Sequence, residues 1–139
     1  MECIFCKIAK GEIDSAKVFE DNDVLVFLDV NPLTEGHCLV IPKQHFENVF
    51  DIDREILKKV IVVGKNISLQ LKKSLNATGV NLLNASGKDA EQSVYHFHLH
   101  VVPRNENDKL KMDDWWQTKT KNTNIIELKK LAEEIRSKI

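Results

Sequence analysis

The sequence is poor in the residues that define several protein classes. Three cysteines in 139 residues are an odd number and too few for a disulfide framework. Three prolines and five glycines leave no stretch with the composition of a linker or a low-complexity tract. No run of 18 apolar residues occurs, and the first residues lack the basic and then apolar profile of a signal peptide. We therefore expect a cytoplasmic protein with no membrane partner.

Neither positive nor negative charge is in large excess. Twenty Lys and Arg against 21 Asp and Glu give a net charge of −1, so no basic field exists for non-specific nucleic-acid binding. The chain is 42% hydrophobic and 29% charged, which is the range of globular proteins. The length is that of one ordinary domain, so we expect a single domain over residues 1–139.

Apolar periodicity and turn signals predict an α+β fold. The predicted helices cover residues 4–9, 54–75 and 125–139, and the predicted strands cover residues 17–20, 24–30, 37–41, 79–84 and 94–102. Asp53 is the expected N-cap of the long helix. These patterns indicate an antiparallel sheet of about five strands, one long central helix and short terminal helices.

Histidine is rare, yet three of the five histidines alternate with apolar residues in one short segment. A period of two is typical of a strand, so His96, His98 and His100 are predicted to share one face. The residues predicted to face the core are Tyr95, Phe97, Leu99 and Val101. A row of half-exposed histidines with no role is the alternative interpretation.

A single metal ion is not expected to bind all three histidines. On a straight strand His96 and His100 lie about 13 Å apart, whereas zinc ligands sit about 2 Å from the metal. We therefore predict a division of tasks, with one end of the cluster serving a metal or a structural bond and the other serving chemistry. A neutral imidazole is a nucleophile near pH 7, and a protonated one binds anions or protonates a leaving group.

The segment from His96 to Val102 resembles the His-φ-His-φ-His-φ-φ signature of the histidine-triad (HIT) family, where φ is apolar. Further blocks that match this family in its order are residues 3–8, 27–32, 36–43 and 92–96. The resemblance covers residues 3–104 and is strongest to the nucleotide-binding (Hint-like) branch. It implies the HIT-like α+β fold and makes residues 105–139 a variable C-terminal extension.

The resemblance implies a nucleotide hydrolase or transferase that acts on purine nucleotides such as AMP or GMP derivatives. The family's nucleophile corresponds to His98, which would attack the α-phosphorus and form a nucleotidyl-histidine that water then hydrolyses. It also implies that His100 binds phosphate oxygens, that Ser93 lies near the leaving group and that His37 supports the centre. The expected activity is that of a nucleoside phosphoramidase. Dinucleoside polyphosphate hydrolysis and a non-enzymatic purine-nucleotide-binding module are the alternatives.

The nucleotide-binding residues are likewise implied by the resemblance. Asp29 corresponds to an acid that accepts hydrogen bonds from the ribose hydroxyls. Asn84 corresponds to a residue on the phosphate or ribose side, and Gln92 belongs to the same set. The positions that correspond to the apolar surroundings of the base are Phe5, Ile8, Phe27 and Val30. For the apolar residues ordinary core packing is the alternative, and for Asp29 it is a turn-forming role before Asn31-Pro32.

Cys3 and Cys6 form a C-x2-C pair, a spacing that suits tetrahedral zinc. The resemblance implies that His45 and His96 complete a structural zinc site. A redox dithiol and a metal-free pair in the core are the alternatives. Cys38 lies in an apolar run and is expected to be a buried hydrophobic residue.

The remaining expectations concern three positions and the assembly. Glu91 stands where the family usually has glycine, which puts the conformation of its loop and the leaving-group preference in doubt. Trp115 and Trp116 either line the leaving-group side or pin the C-terminal segment to the body. The resemblance also implies a homodimer formed through the central helix and a strand edge.

Overall fold

The structure is a computed structural model that describes residues 2–113 and 123–139. The chain divides into two compact units after Lys109. The second unit contains the C-terminal helix, whose first turn is capped by Asn124 through a 2.9 Å bond from the Glu127 backbone N–H. Trp115 and Trp116 lie outside the described residues, and their roles remain predictions. No helix among the described residues has the length and apolar content needed to cross a membrane.

The first unit is a sheet with one helix on each face. Its elements are α1 (Ile4–Ala9), β1 (Lys17–Glu20), β2 (Val24–Leu28), β3 (Cys38–Pro42), α2 (Arg54–Leu75), β4 (Gly79–Leu83) and β5 (Leu99–Arg104); the helix of the second unit is α3 (Ile125–Arg136). The described residues form one five-stranded antiparallel sheet in the order β1-β2-β3-β5-β4. This confirms the predicted α+β class.

Helix α2 begins and ends where the sequence predicts. The Asp53 carboxylate accepts from the backbone N–H groups of Glu55 and Ile56, and the chain leaves the helix at Asn76 in the left-handed conformation, with φ of 54°. Its buried residues are Val60, Val63, Gly64, Ile67 and Leu71. Ile61, next to the buried Val60, is 44% exposed, so the buried stripe runs on the Val63 side of the helix.

The two faces of the sheet carry separate cores. One face packs against α2 through Val24, Val26, Cys38, Val40, Leu99 and Val101, and the other packs against α1 through Leu25, Phe27, Leu39 and Ile41. Because both faces are covered, β2 and β3 are continuous apolar runs rather than alternating ones. His100 pairs with Leu39 across β3 and β5, which places the histidine on the α1 side.

The predicted strand over residues 94–102 is wrong at its start. Strand β5 begins at Leu99, and His96 and His98 precede it in an irregular segment. The Phe97 backbone N–H donates to the carbonyl of Phe46, in the loop between β3 and α2, at 2.7 Å. Tyr95, predicted to face the core, is 46% exposed, whereas Phe97 is buried. The alternation of apolar residues therefore continues beyond the paired strand.

Glu91 occupies a backbone conformation that favours glycine. It ends the short 3₁₀ helix Lys88–Ala90 with φ of 62° and ψ of 36°. For a residue with a Cβ this left-handed conformation costs roughly 1–2 kcal/mol. The loop therefore has the left-handed geometry that glycine adopts without strain. With Glu91 at this position, the strain lowers the free energy of unfolding.

We expect Glu91→Gly to raise the free energy of unfolding by about 0.5–1 kcal/mol, because relief of the left-handed strain exceeds the added flexibility of the unfolded chain. Urea denaturation measures the change. Glu91→Ala is the matched control, since it removes the carboxylate and keeps the Cβ. An equal gain from both variants would attribute the effect to charge and contradict the backbone explanation.

Candidate functional site

A cleft of about 470 Å³ opens on the α1 side of the sheet. Its polar lining includes the predicted residues Asp29, Ser93, His98 and His100. Its apolar lining includes the four residues predicted to surround a base, which are Phe5, Ile8, Phe27 and Val30. A mostly apolar cavity with a few convergent polar groups is the usual form of a small-molecule site.

The His98 ring has one nitrogen fixed and one available. Its Nδ1 lies 2.8 Å from the carbonyl oxygen of His96, which can only accept a hydrogen bond, so Nδ1 carries the proton. The lone pair is then on Nε2. The residue is 97% buried and still lines the cleft, so this lone pair is shielded from bulk solvent.

The His100 ring has the opposite tautomer, which His37 sets. The Leu33 backbone N–H donates to His37 Nδ1 at 3.1 Å, so the proton of the neutral His37 ring is on Nε2. His37 Nε2 donates in turn to His100 Nδ1 at 2.9 Å, which leaves the His100 proton on Nε2. The centre therefore contains a nucleophilic nitrogen on His98 and an N–H donor on His100, with ring centroids 4.9 Å apart.

Burial keeps these three rings neutral near pH 7. Burial lowers the pKa of His98, although its bond to the His96 carbonyl acts in the other direction. Burial, together with the nearby His98 and His37, lowers the pKa of His100 to about 4. Burial also lowers the pKa of His37, against the opposing effect of the Asp29 carboxylate. A neutral imidazole is the form that has a free lone pair.

The Asp29 carboxylate forms a turn and also lines the cleft. Its Oδ1 accepts from the Asn31 backbone N–H at 2.8 Å, which forms the turn before Pro32. Its Oδ2 lies 3.7 Å from His37 Nε2, and the residue lines the cleft. One carboxylate oxygen therefore builds the turn, and the other faces the histidines.

Asn84 and Gln92 do not line the cleft. The Asn84 side chain donates from Nδ2 to the carbonyl oxygen of His98 at 2.9 Å. The buried Gln92 amide has protein partners at both ends: Nε2 donates to the carbonyls of Glu47 and Val94, and Oε1 accepts from the Gly87 backbone N–H and the Asn48 side chain. Gln92 therefore joins the loop before β5 to the loop before α2.

A second cluster brings together the predicted metal ligands Cys3, Cys6, His45 and His96. Their ligand atoms all lie within 4.8 Å of one another. His45 Nδ1 and His96 Nδ1 are 3.2 Å apart, and the sulfur-to-nitrogen distances are 3.3–3.5 Å. Ligands of a tetrahedral zinc ion are separated by about 3.3–3.8 Å. Because His96 Nε2 donates to the Pro42 carbonyl at 2.8 Å, its lone pair is on Nδ1 and faces the cysteines. The four residues therefore fit a zinc ion.

Asp29, His37 and His100 also bring three ligand atoms within 4.8 Å of one another. Their arrangement differs from that of the cysteine cluster. The facing nitrogens of His37 and His100 already share a proton in a 2.9 Å hydrogen bond. A proton therefore already lies between the histidine nitrogens of this group, whereas in the cysteine cluster the His96 lone pair faces the thiols.

Phe5 connects the two clusters. It lies on α1 between Cys3 and Cys6, and its ring meets those of His96 and His98 edge-on at centroid distances of 5.9 and 5.2 Å. The ring also packs against Phe27 at 5.6 Å. The position of α1 thus shapes both the possible metal site and the wall of the cleft.

Sequence reasoning missed several residues that line the cleft. They are Ile4, Ile13, Asp14, Ser15, Leu28, Asn31, Leu39 and Val94. Ile13, Asp14 and Ser15 precede β1 in a stretch without a motif, so only the tertiary structure brings them to the site. Leu39 carried a signal that could have been used, because the strand alternation puts it on the same face as Ile41 and opposite Val40.

The histidine pKa values predict loss of stability on acidification. In the unfolded chain histidine has a pKa near 6.5, whereas that of folded His100 is about 4. Between these values the unfolded state binds the extra proton, so stability falls as pH decreases through this window. We expect this residue to contribute a loss of about 1 kcal/mol between pH 6 and pH 5. Urea denaturation at each pH, compared with His100→Asn, measures the contribution, and equal pH slopes for the two proteins would contradict it.

The class of this protein is defined by its fold, its histidine-lined apolar cleft and its Cys2His2 cluster. The family model for the HIT domain matches residues 10–107. The protein hit of Bacillus subtilis strain 168 is 47% identical over 102 residues, which are 73% of this chain and 70% of that protein. The chain therefore belongs to the HIT domain family.

Solved structures agree with this assignment. A protein from Streptococcus mutans UA159 has a TM-score of 0.90 and 36% identity, and the match covers 99% of this chain and 85% of that chain. A histidine triad family protein from Mycobacterium smegmatis, described as Zn-bound, has a TM-score of 0.77 and 41% identity, with 81% of each chain covered. The five-stranded antiparallel sheet with its long helix is thus the fold of the family.

Proposed function

We propose that this protein is a nucleotide hydrolase. Its substrates are purine nucleoside phosphoramidates and related nucleotidyl conjugates, and it cleaves the bond between the α-phosphate and the leaving group. The observation that carries the proposal is the pair of opposite tautomers, with a lone pair on His98 Nε2 and a proton on His100 Nε2. Both rings line one cleft that also carries an apolar wall and a carboxylate.

The reaction proceeds in two displacements at phosphorus. His98 Nε2 forms a bond to the α-phosphorus while the bond to the leaving amine breaks, and the amine takes up a proton from solvent that the attacking water returns in the second displacement. The attacking ring becomes cationic, and its Nδ1–H bond to the His96 carbonyl stabilises that charge. Water then attacks phosphorus, releases the nucleoside monophosphate and restores the neutral ring. The His100 Nε2–H donates to the phosphate oxygens, and Ser93 serves the leaving-group side.

The nucleotide is held without a basic surface. The apolar lining, including Phe5, Ile8 and Phe27, accepts the purine, and Asp29 Oδ2 accepts from the ribose hydroxyls. Gln92 contributes by fixing the loop that carries Ser93, because its amide is occupied by protein partners. Local donors replace a field of lysines and arginines, which is consistent with a net charge of −1.

A turnover panel tests the proposal. Adenosine phosphoramidate, guanosine phosphoramidate and a dinucleoside polyphosphate are compared at equal concentration, with release of nucleoside monophosphate as the readout. We expect the phosphoramidates to be the better substrates. Preference for the dinucleoside polyphosphate would favour the alternative hydrolase, and tight binding without release would favour a non-enzymatic module.

A structural zinc ion is part of the proposal. Cys3, Cys6, His45 and His96 would hold it, and four protein ligands leave no open position for catalysis. The metal would tie α1 to the segment that carries His98. The fit of the donor distances supports this assignment over a redox dithiol.

A homodimer through α2 and the edge strand β4 is also proposed. Strand β4 is at the end of the sheet and exposes Val80 and Leu82, by 39% and 42%. Helix α2 exposes Ile61 and Leu69, by 44% and 49%. An apolar strand edge favours pairing with another chain. Sedimentation velocity tests this, since a dimer has twice the chain mass of 15.9 kDa.

A further inference from the structure

Ser86 links two loops to the backbone of His98. It lies after β4, two residues beyond Asn84. Its hydroxyl accepts from the Val49 backbone N–H at 3.0 Å and donates to Asn84 Oδ1 at 2.7 Å. The Asn84 amide then donates from Nδ2 to the His98 carbonyl at 2.9 Å. A continuous chain of three hydrogen bonds therefore runs from the loop before α2 to the nucleophile.

The direction of this chain is fixed at its outer end. A hydroxyl has one proton, and a backbone N–H can only donate, so Ser86 accepts from Val49 and gives its proton to Asn84. Asn84 must therefore present its oxygen to Ser86 and its NH2 group to His98. Without the hydroxyl the Asn84 amide is held only at its NH2 end, by the His98 carbonyl, and its oxygen end is free to move.

We propose that Ser86 is a positioning residue that acts through Asn84 on His98, which rests on the proposed function. It holds the Asn84 amide in the orientation that fixes the His98 carbonyl, and it therefore acts on the position of the His98 ring without contacting substrate.

A purely structural role for Ser86 can be separated from this one. Gln92 joins the same two loops independently through Gly87, Asn48 and Glu47. Removal of the Ser86 hydroxyl therefore leaves the loops connected. The effect should fall on the orientation of Asn84 rather than on the stability of the fold.

The test compares Ser86→Ala with Ser86→Thr, which keeps a hydroxyl, in the full chain with adenosine phosphoramidate. We expect Ser86→Ala to lower kcat about fivefold with KM within twofold, the loss expected for one displaced hydrogen bond. We expect Ser86→Thr to restore most of kcat and the urea midpoints of both to match the wild type. In an Asn84→Ala background, Ser86→Ala should change kcat by less than twofold, because the two residues act in series.

Additive losses, or a loss of stability that parallels kcat, would overturn the proposal. The side-chain NH2 resonances of Asn84 in ¹⁵N-labelled protein give a readout without turnover. They should be well dispersed in the wild type and Ser86→Thr and collapse toward free-amide positions in Ser86→Ala. A wild type that fails to turn over any substrate defeats the proposed function alone, while unchanged Asn84 resonances in Ser86→Ala defeat the positioning role.

Discussion

His98→Ala is expected to lower turnover by at least about a thousandfold while nucleotide affinity stays within a few fold. Covalent catalysis needs the attacking atom, and removal of a nucleophile from a catalytic unit typically costs this much or more. The apolar wall and Asp29 remain in place, so the nucleotide keeps most of its contacts. Single-turnover release of nucleoside monophosphate and nucleotide titration measure the two quantities.

Tyr95→Phe is the matched control for this substitution. Tyr95 belongs to the same short segment, is 46% exposed and has no assigned role in the reaction. We expect its kcat to match the wild type within twofold. Survival of turnover in His98→Ala would show that the nucleophile is another residue. A parallel loss of affinity and turnover would show that His98 binds the nucleotide rather than attacks it.

Loss of the proposed structural zinc ion is expected to lower the stability of the fold and to weaken substrate binding. Protein purified without added zinc should contain about one equivalent per chain. Cys6→Ser should remove it and lower the free energy of unfolding by about 3–5 kcal/mol. The same change should raise KM, because α1 carries both Cys6 and the Phe5 ring that packs on His98. Metal analysis, urea denaturation and steady-state kinetics measure these effects.

Cys38→Ala is the control for the metal experiment. Cys38 is fully buried in β3, and burial raises the pKa of its thiol to about 11. This variant should keep the zinc content while losing some stability through its cavity. Less than about a tenth of an equivalent of zinc in the wild type would end the metal assignment.

Local sequence signals predicted the bounds of helix α2 correctly but placed the start of the histidine-containing strand too early. Asp53 and the spacing of apolar residues defined α2 to the residue, since capping and periodicity are properties of the helix itself. The alternation around His96 predicted a strand that begins too early. A strand is defined by its partner, and Phe97 bonds to Phe46 instead of a sheet neighbour. That partner lies far away in the sequence.

For the candidate site, the sequence predicted which residues come together but not the protonation of the individual ring nitrogens. The spacing marked the cysteine pair and the alternating histidines, the family resemblance added His45 and His96 to the cysteines, and the structure brings these four residues together. The roles of the individual nitrogens depend on acceptors such as the His96 and Pro42 carbonyls, which no sequence pattern reveals. The contribution of Ser86 depends in the same way on the distant Val49 N–H.

The central claim is that His98 becomes covalently attached to the nucleotide. Rapid mixing with adenosine phosphoramidate, a neutral denaturing quench and mass spectrometry of the tryptic peptide Asp89–Arg104 test this attachment. Fragmentation of this peptide separates the three histidines. We expect one nucleoside monophosphate per chain on His98 and none in His98→Ala. Turnover without an adduct, or an adduct located on His100, would contradict it.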